Sequence, residues 1–149
     1  MQLRLPQWLK EWFLRRMSSN KPPRFRSQFE AYIASILLGR GCKYAYESER
    51  IPFLQPEMKK TYCPDFVIED QGFFIEAKGI FSARDRKKHL WVREQHPEID
   101  IRFVFQNARL PIRRGSKTTC AAWAEKNGFL WAHKTPPIEW FQNDERKQR

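Results

Sequence analysis

At 149 residues, with 41% hydrophobic and 15% aromatic content, the chain has the length and apolar supply of one domain with a real core, which excludes a disordered basic tail. Its formal net charge of +11 points to polyanions as partners. Three widely spaced cysteines, Cys42, Cys63 and Cys120, form neither a zinc pattern nor a paired disulfide set, so a reducing, cytoplasmic setting is expected.

The charge is uneven. Residues 1–26 carry seven Lys/Arg against one acid, residues 27–106 carry twelve of each, and residues 107–149 carry nine against four. A balanced body thus lies between basic flanks, which either neutralise phosphates or keep the protein in solution.

At the N-terminus, Leu5, Trp8, Leu9, Trp12 and Phe13 fall at helical spacing and predict a short basic amphipathic helix. Packing on the body or on a second subunit is expected of it rather than a place on a membrane. Arg4, Lys10, Glu11 and Arg15 interrupt any signal-peptide pattern, and the longest mostly apolar run, Ala31 to Leu38, falls far short of the ~20 residues that span a bilayer. Ser18 to Pro23 reads as a linker.

Ser27 then opens a helix with apolar residues at Phe29, Ile33, Ile36 and Leu37, closed near Gly39-Arg40-Gly41. Ser27-x-x-Glu30 has the form of a capping box, in which Glu30 would close back on the Ser27 amide; Glu30 is equally a candidate third carboxylate for a site. Lys43 to Phe53 alternates around Tyr44, Tyr46 and Ile51 and predicts a strand, broken by Pro52 and Pro56, with Gln55 to Thr61 a polar connection.

The richest stretch runs from Pro64-Asp65 to Glu76-Ala77-Lys78. Two runs of aromatic and β-branched residues flank the polar turn Glu69-Asp70-Gln71-Gly72 and predict a hairpin. With Asp70-Gln71 as the loop and Glu69 paired with Gly72, antiparallel counting sets Asp65 opposite Glu76, with Lys78 on the same face. A one-residue slip would set Phe66 opposite Glu76 instead, and the turn residues do not decide between them, so the chemistry of the acids favours the first. Facing carboxylates repel unless a cation lies between them, and such oxygen donors suit Mg²⁺ or Mn²⁺. Acids and a lysine so placed in a basic chain point toward a nuclease; the alternative is a charged surface hairpin.

Ser82 caps a predicted helix reaching Gln95 and stopped by His96-Pro97, on which Arg84, Lys87, Lys88 and Trp91 share one face. That face either holds a phosphate backbone or is merely solvated, and His89 reads as a packing or phosphate contact. Ile101, Phe103 and Phe105 mark a central strand, followed by a basic loop, Asn107 to Lys117, whose Arg109, Arg113, Arg114 and Lys117 are candidate phosphate contacts. Thr118 or Thr119 caps a helix ended by Asn127-Gly128; Phe129 to Ala132 predicts a last strand, Pro137 to Phe141 a helical turn, and Asn143 to Arg149 a frayed tail.

From about Phe25 to Trp140 the chain resembles the bacteriophage endonuclease I enzymes that resolve Holliday junctions, within the PD-(D/E)xK nuclease group. The resemblance rests on Arg26-Ser27-x-x-Glu30, Tyr62-x-Pro64-Asp65-Phe66, Glu76-x-Lys78-Gly79 and the long run from Asp85 to Arg102. It implies an α/β fold with a central mixed β-sheet flanked by helices, over residues 25–141, with 1–24 an extension and 142–149 a basic tail. It further implies Glu30, Asp65 and Glu76 as metal-binding carboxylates, the Ala77 carbonyl as another ligand, Lys78 as the catalytic lysine, and two metal ions per site bridged by Asp65. The region around the proline-stiffened connection would be exchanged between the subunits of an intertwined homodimer, so that Glu30 serves the partner's carboxylate pair. Four-way and other branched DNA would be the substrate, cut to 5′-phosphate and 3′-hydroxyl ends, in the host-cell cytoplasm. Two rivals stay open: another nuclease on this fold, of transposon-end or restriction type, and a non-catalytic nucleic-acid-binding protein.

Overall fold

The computed structural model describes residues 24–55 and 58–142, with only the backbone of Leu54; the predicted N-terminal helix, the linker through Pro23, Pro56 and the Asn143–Arg149 tail lie outside these residues. In chain order the elements are α1 (Gln28–Gly39), β1 (Tyr44–Tyr46), β2 (Ile51–Gln55), β3 (Met58–Tyr62), β4 (Phe66–Ile68), β5 (Phe73–Lys78), α2 (Ala83–Gln95), β6 (Ile101–Phe105), α3 (Cys120–Lys126) and β7 (Leu130–His133), then a 3₁₀ turn at Ile138–Trp140.

Five strands form one mixed sheet in the order β1-β4-β5-β6-β7. The pairs β1–β4 and β4–β5 are antiparallel, while β5–β6 and β6–β7 are parallel and joined across by α2 and α3, the crossover that parallel neighbours require. Both faces are covered. Phe66, Ile68, Phe73, Ile75 and Val104 bury against Ile33, Ala34 and Leu37 of α1, with Trp140 and Phe141 at the margin. Val67, Phe74, Phe103 and Phe105 bury on the opposite side, against Val92 of α2, Trp123 and Ala124 of α3, and the smaller β2–β3 sheet. A strand sends alternate side chains to opposite faces, so β5 gives Phe73 and Ile75 to α1 and Phe74, Glu76 and Lys78 to the α2 side.

Three expectations are corrected. Lys43 to Phe53 is not one strand but parts of two in different sheets, Tyr44–Tyr46 beside β4 and Ile51–Gln55 beside β3. Gln55 to Thr61 is no mere connection: Met58–Tyr62 is a strand pairing antiparallel with Ile51–Gln55, and Pro52 lies within the pair, opposite Thr61. Pro52 turns its backbone to the open edge, where its carbonyl meets His96 Nε2 at 2.6 Å, so its missing N–H costs no ladder bond. The β4–β5 loop is also longer than two residues, since the ladder ends at Ile68–Phe73, Gly72 N–H donates to the Ile68 carbonyl at 2.8 Å, and Gly72 takes φ +73°. Asp-Gln is a poor tight-turn pair, whereas glycine accepts that backbone angle without strain.

Thr119 is the cap of α3, its hydroxyl accepting from Ala122 N–H at 3.1 Å. The basic loop before it is folded back on itself: Ile112 N–H donates to Thr118 O and Cys120 N–H to Leu110 O. Arg86, only 9% exposed, ties α2 to this loop by donating to the carbonyls of Phe81 at 2.6 Å and Ile112 at 2.8 Å. Arg86→Met would fill the space but strip both acceptors of a charged donor, so a loss of about 3 kcal/mol in unfolding free energy is expected in urea titrations.

Candidate active site

The β4–β5 ladder pairs Phe66 with Ile75, so the next step outward sets Asp65 against Glu76, the register expected from the sequence despite the longer loop. Asp65 Oδ2 accepts the Ala77 N–H at 2.9 Å, fixing the carboxylate across the end of β5. In an extended strand the N–H and C=O of one residue point to the same edge, so the Ala77 carbonyl also faces Asp65. The neighbouring Lys78 carbonyl points the other way and accepts from Gln106 N–H at 2.9 Å.

Glu76 is 2% exposed, and Tyr62 of β3 donates its hydroxyl to Glu76 Oε1 at 2.6 Å. Lys78 Nζ lies 3.4 Å from Glu76 Oε2 and 3.6 Å from Asp85 Oδ1, bridging the hairpin to the first turn of α2. Asp85 is held there by a capping box: Ser82 Oγ accepts the Asp85 N–H, and Asp85 Oδ2 accepts the Ser82 N–H. Lys88 Nζ approaches the same Asp85 oxygen at 3.9 Å.

These contacts set the protonation states. Burial first, then the Glu76 carboxylate, push Asp65 up to about 8, against the opposing pull of the Ala77 N–H and Lys78. Burial alone would lower the Lys78 value, but Glu76, Asp85 and Asp65 outweigh it and hold the ammonium above the ordinary lysine value. Asp85 is held below the ordinary range, because Lys78, the Ser82 hydroxyl and Lys88 together overcome its burial. Burial and then the charges of Lys78 and Lys88 hold His89 well below the usual imidazole value. His89 is fully buried, edge-on to Tyr62 and Phe103, with its Nε2 3.8 Å from Glu76 Oε2 and no hydrogen-bond partner on either nitrogen among the described residues. It is a packing residue here, not a phosphate contact.

Glu30 divides its expected roles. Ser27 Oγ accepts the Glu30 N–H at 3.1 Å, as in a capping box, but the Glu30 carboxylate does not return to the Ser27 amide. It accepts from the Arg26 N–H at 3.0 Å and from the Tyr46 hydroxyl, because β1 brings that stronger donor to the end of α1. The Glu30 charge still contributes to the raised Asp65 value, so it lies within electrostatic reach of the pair. Among the described residues no three Asp, Glu, His or Cys side chains gather closely enough to hold a metal by themselves. Asp65, Glu76 and the Ala77 carbonyl lie at one end of the hairpin and are all hard oxygens, a set that fits a small divalent ion retaining several waters.

Arg84, Lys87 and Lys88 of α2 line a groove beside this cluster, whereas Arg109, Arg113, Arg114 and Lys117 are exposed on the folded loop anchored by Arg86. Sequence reasoning missed Tyr62 and Asp85 as site residues. Asp85 carried a signal, since Ser82-x-x-Asp85 is itself a capping pattern seven residues after Lys78.

An acidic pair with a lysine at the carboxyl end of a central strand defines an α/β protein with the makings of a hydrolytic centre. The family model for phage endonuclease I matches residues 10–149, and the chain belongs to that family. It is 46% identical over 114 residues to "Endodeoxyribonuclease 1" of Enterobacteria phage T3, covering 76% of this chain and 74% of that protein. It is 41% identical over 123 residues to "Endonuclease I" of Escherichia phage T7, covering 83% and 82%. Among the described residues no helix is long and apolar enough to cross a membrane.

Because the folded chain keeps a proton on Asp65 where an unfolded one has lost it, the contribution of Asp65 to stability falls as pH rises from 3.8 to about 8. The slope reaches up to about 1.4 kcal/mol per pH unit. Asp65→Asn should flatten it, so that in EDTA the variant outlasts the wild type in urea at about pH 8 and loses that advantage near pH 4.

Proposed function

We propose that this chain is a structure-selective, metal-dependent DNA endonuclease that cuts four-way and other branched junctions to 5′-phosphate and 3′-hydroxyl ends. The observation that carries the reading is the placement of Asp65 opposite Glu76 with Lys78 on the same face. The names of the phage T3 and T7 relatives support DNA cleavage.

Lys78 is held charged between Glu76 and Asp85, where it can orient a water and offset the negative charge that grows on a phosphoryl group. Asp65, Glu76 and the Ala77 carbonyl would hold Mg²⁺ or Mn²⁺, which when bound supplies Lewis-acid polarisation and a more acidic water. Tyr62 and the Ala77 N–H fix the two carboxylates so that little reorganisation is needed on binding. Arg84, Lys87 and Lys88, with Arg109, Arg113, Arg114 and Lys117 on the neighbouring loop, would take the DNA backbone through charge and shape rather than base sequence.

The expected result is that Asp65→Asn and Lys78→Ala each cut a four-way junction at least about 100-fold more slowly while still binding it. Cleavage unchanged in both would remove the site assignment. Equal cutting of the junction and its matching linear duplex would remove junction selectivity while leaving nuclease activity intact.

A symmetric junction needs two cuts, which suits a two-fold homodimer. An exchange at the β2–β3 connection would keep this ladder, with β2 from one chain and β3 from the other, and would carry α1 and Glu30 to the partner's Asp65–Glu76 pair. Two ions per site, shared through Asp65, would then draw on Glu30 of the other chain. A heterodimer with Glu30→Gln on one chain and Asp65→Asn on the other decides this. Composite sites leave one site wild type, so one strand is nicked at near the normal rate; self-contained sites leave both crippled.

A further inference from the structure

The β2–β3 hairpin and the first turns of α2 border a groove beside the catalytic cluster. It consists of two adjoining hollows of about 390 and 370 Å³ that share Gln55, Lys60, Arg84 and Trp91 in their walls. Each is within the size range of small-ligand sites. Among the described residues Lys60, Arg84 and Lys87 have no carboxylate within ion-pair distance, and Lys88 shares Asp85 at 3.9 Å with Lys78. Among the described residues that line it, the groove thus carries more positive than negative charge. Its wall also holds an indole: Trp91 is half-buried, stacked at 6.5 Å and 24° on Phe53, and lines both hollows.

Cations alone suffice to grip a duplex backbone; cations around an accessible aromatic ring are what single strands use, phosphates on the charges and bases on the ring. Asp85 lines the same groove and lies 3.6 Å from Lys78, so the groove opens beside the catalytic lysine.

We propose that this groove binds an unpaired nucleotide of the DNA substrate next to the scissile phosphate, its base against Trp91 and its phosphates on Lys60, Arg84 and Lys87. This rests on the reading of the chain as a DNA endonuclease and adds the part of the substrate that such a site selects.

The test uses the full-length protein in EDTA, where binding is read without cleavage, and two forms of one DNA duplex. One is fully paired; the other has a short unpaired stretch carrying 2-aminopurine. Wild type should bind the second about tenfold more tightly, the scale of stacking one base on an aromatic ring, and should quench its fluorescence. Trp91→Leu should lose both effects with binding of the paired form unchanged, and Trp91→Phe should keep most of the preference. Lys60→Ala should weaken both DNAs equally and reduce the salt dependence by about one counterion. No preference and no quenching in wild type, or both persisting in a Trp91→Leu protein with an unchanged urea midpoint, would overturn the proposal. If Trp91→Leu does not fold, loss of the preference in a folded Trp91→Phe protein overturns it. Failure to bind or cut a four-way junction as well as these two DNAs would overturn the endonuclease reading itself, whereas cutting of the junction with no preference between the two duplexes overturns only the groove.

Discussion

The site depends on the register of one hairpin. A one-residue slip between β4 and β5 would send Asp65 to the α1 side and place Phe66 opposite Glu76. What forbids the slip is the core, not the charges. Phe66, Ile68, Phe73 and Ile75 bury against α1 while Val67 and Phe74 bury on the other face, each side chain worth about 1.5–3 kcal/mol when removed from water. Repulsion between Asp65 and Glu76 works against this register but is far smaller than the burial that enforces it. The acids therefore face each other because apolar neighbours leave them no alternative.

That enforced meeting has an energetic consequence. Buried ion pairs rarely stabilise a protein over well-packed apolar residues, and here the cluster holds more acid than base: Asp65, Glu76 and Asp85 around Lys78. In a chain of net charge +11 such a local excess of carboxylate, with Asp65 pushed up to about 8, is the pattern of a site that trades stability for chemistry. A proton can relieve the repulsion, and so can a hard cation, which has the Ala77 carbonyl as a further donor.

The sequence made the sheet legible because its strands stand out as short aromatic and β-branched runs. Phe66 to Ile68 and Phe73 to Lys78 flank a polar turn, and Ile101 to Phe105 alternates. The hairpin register, left open by the turn, was legible from the chemistry of the acid pair, even though Gly72 rather than Asp-Gln closes the turn. The β2–β3 sheet was not legible, since Met58-Lys59-Lys60-Thr61 has no apolar alternation and Pro52 argues against a strand; only pairing with Ile51 to Gln55 over α2 makes it one. With the hairpin unread, Tyr62 could not be assigned to the site. Glu30 was ambiguous for a different reason. Its local pattern fits a cap, and the donor that decides its position, Tyr46, comes from sixteen residues away.

Helix α2 shows why motif spacing located the site but not its full membership. Its inward face is Arg86, His89 and Val92, so the helix lacks the apolar stripe by which buried faces are usually recognised. Arg86 is buried because two carbonyls need it, and His89 because Tyr62 and Phe103 enclose a neutral ring. With those positions turned inward, Arg84, Lys87, Lys88 and Trp91 are left to face the hairpin, and Asp85 at the third position of the helix meets Lys78. Lys88 and Lys78 then share one carboxylate. A phosphate drawn to Lys88 would compete with Asp85 Oδ1 for its charge and leave that oxygen to Lys78 alone. The groove that would grip DNA and the lysine that would act on it are thus connected through a single side chain, fixed in place by the helix cap.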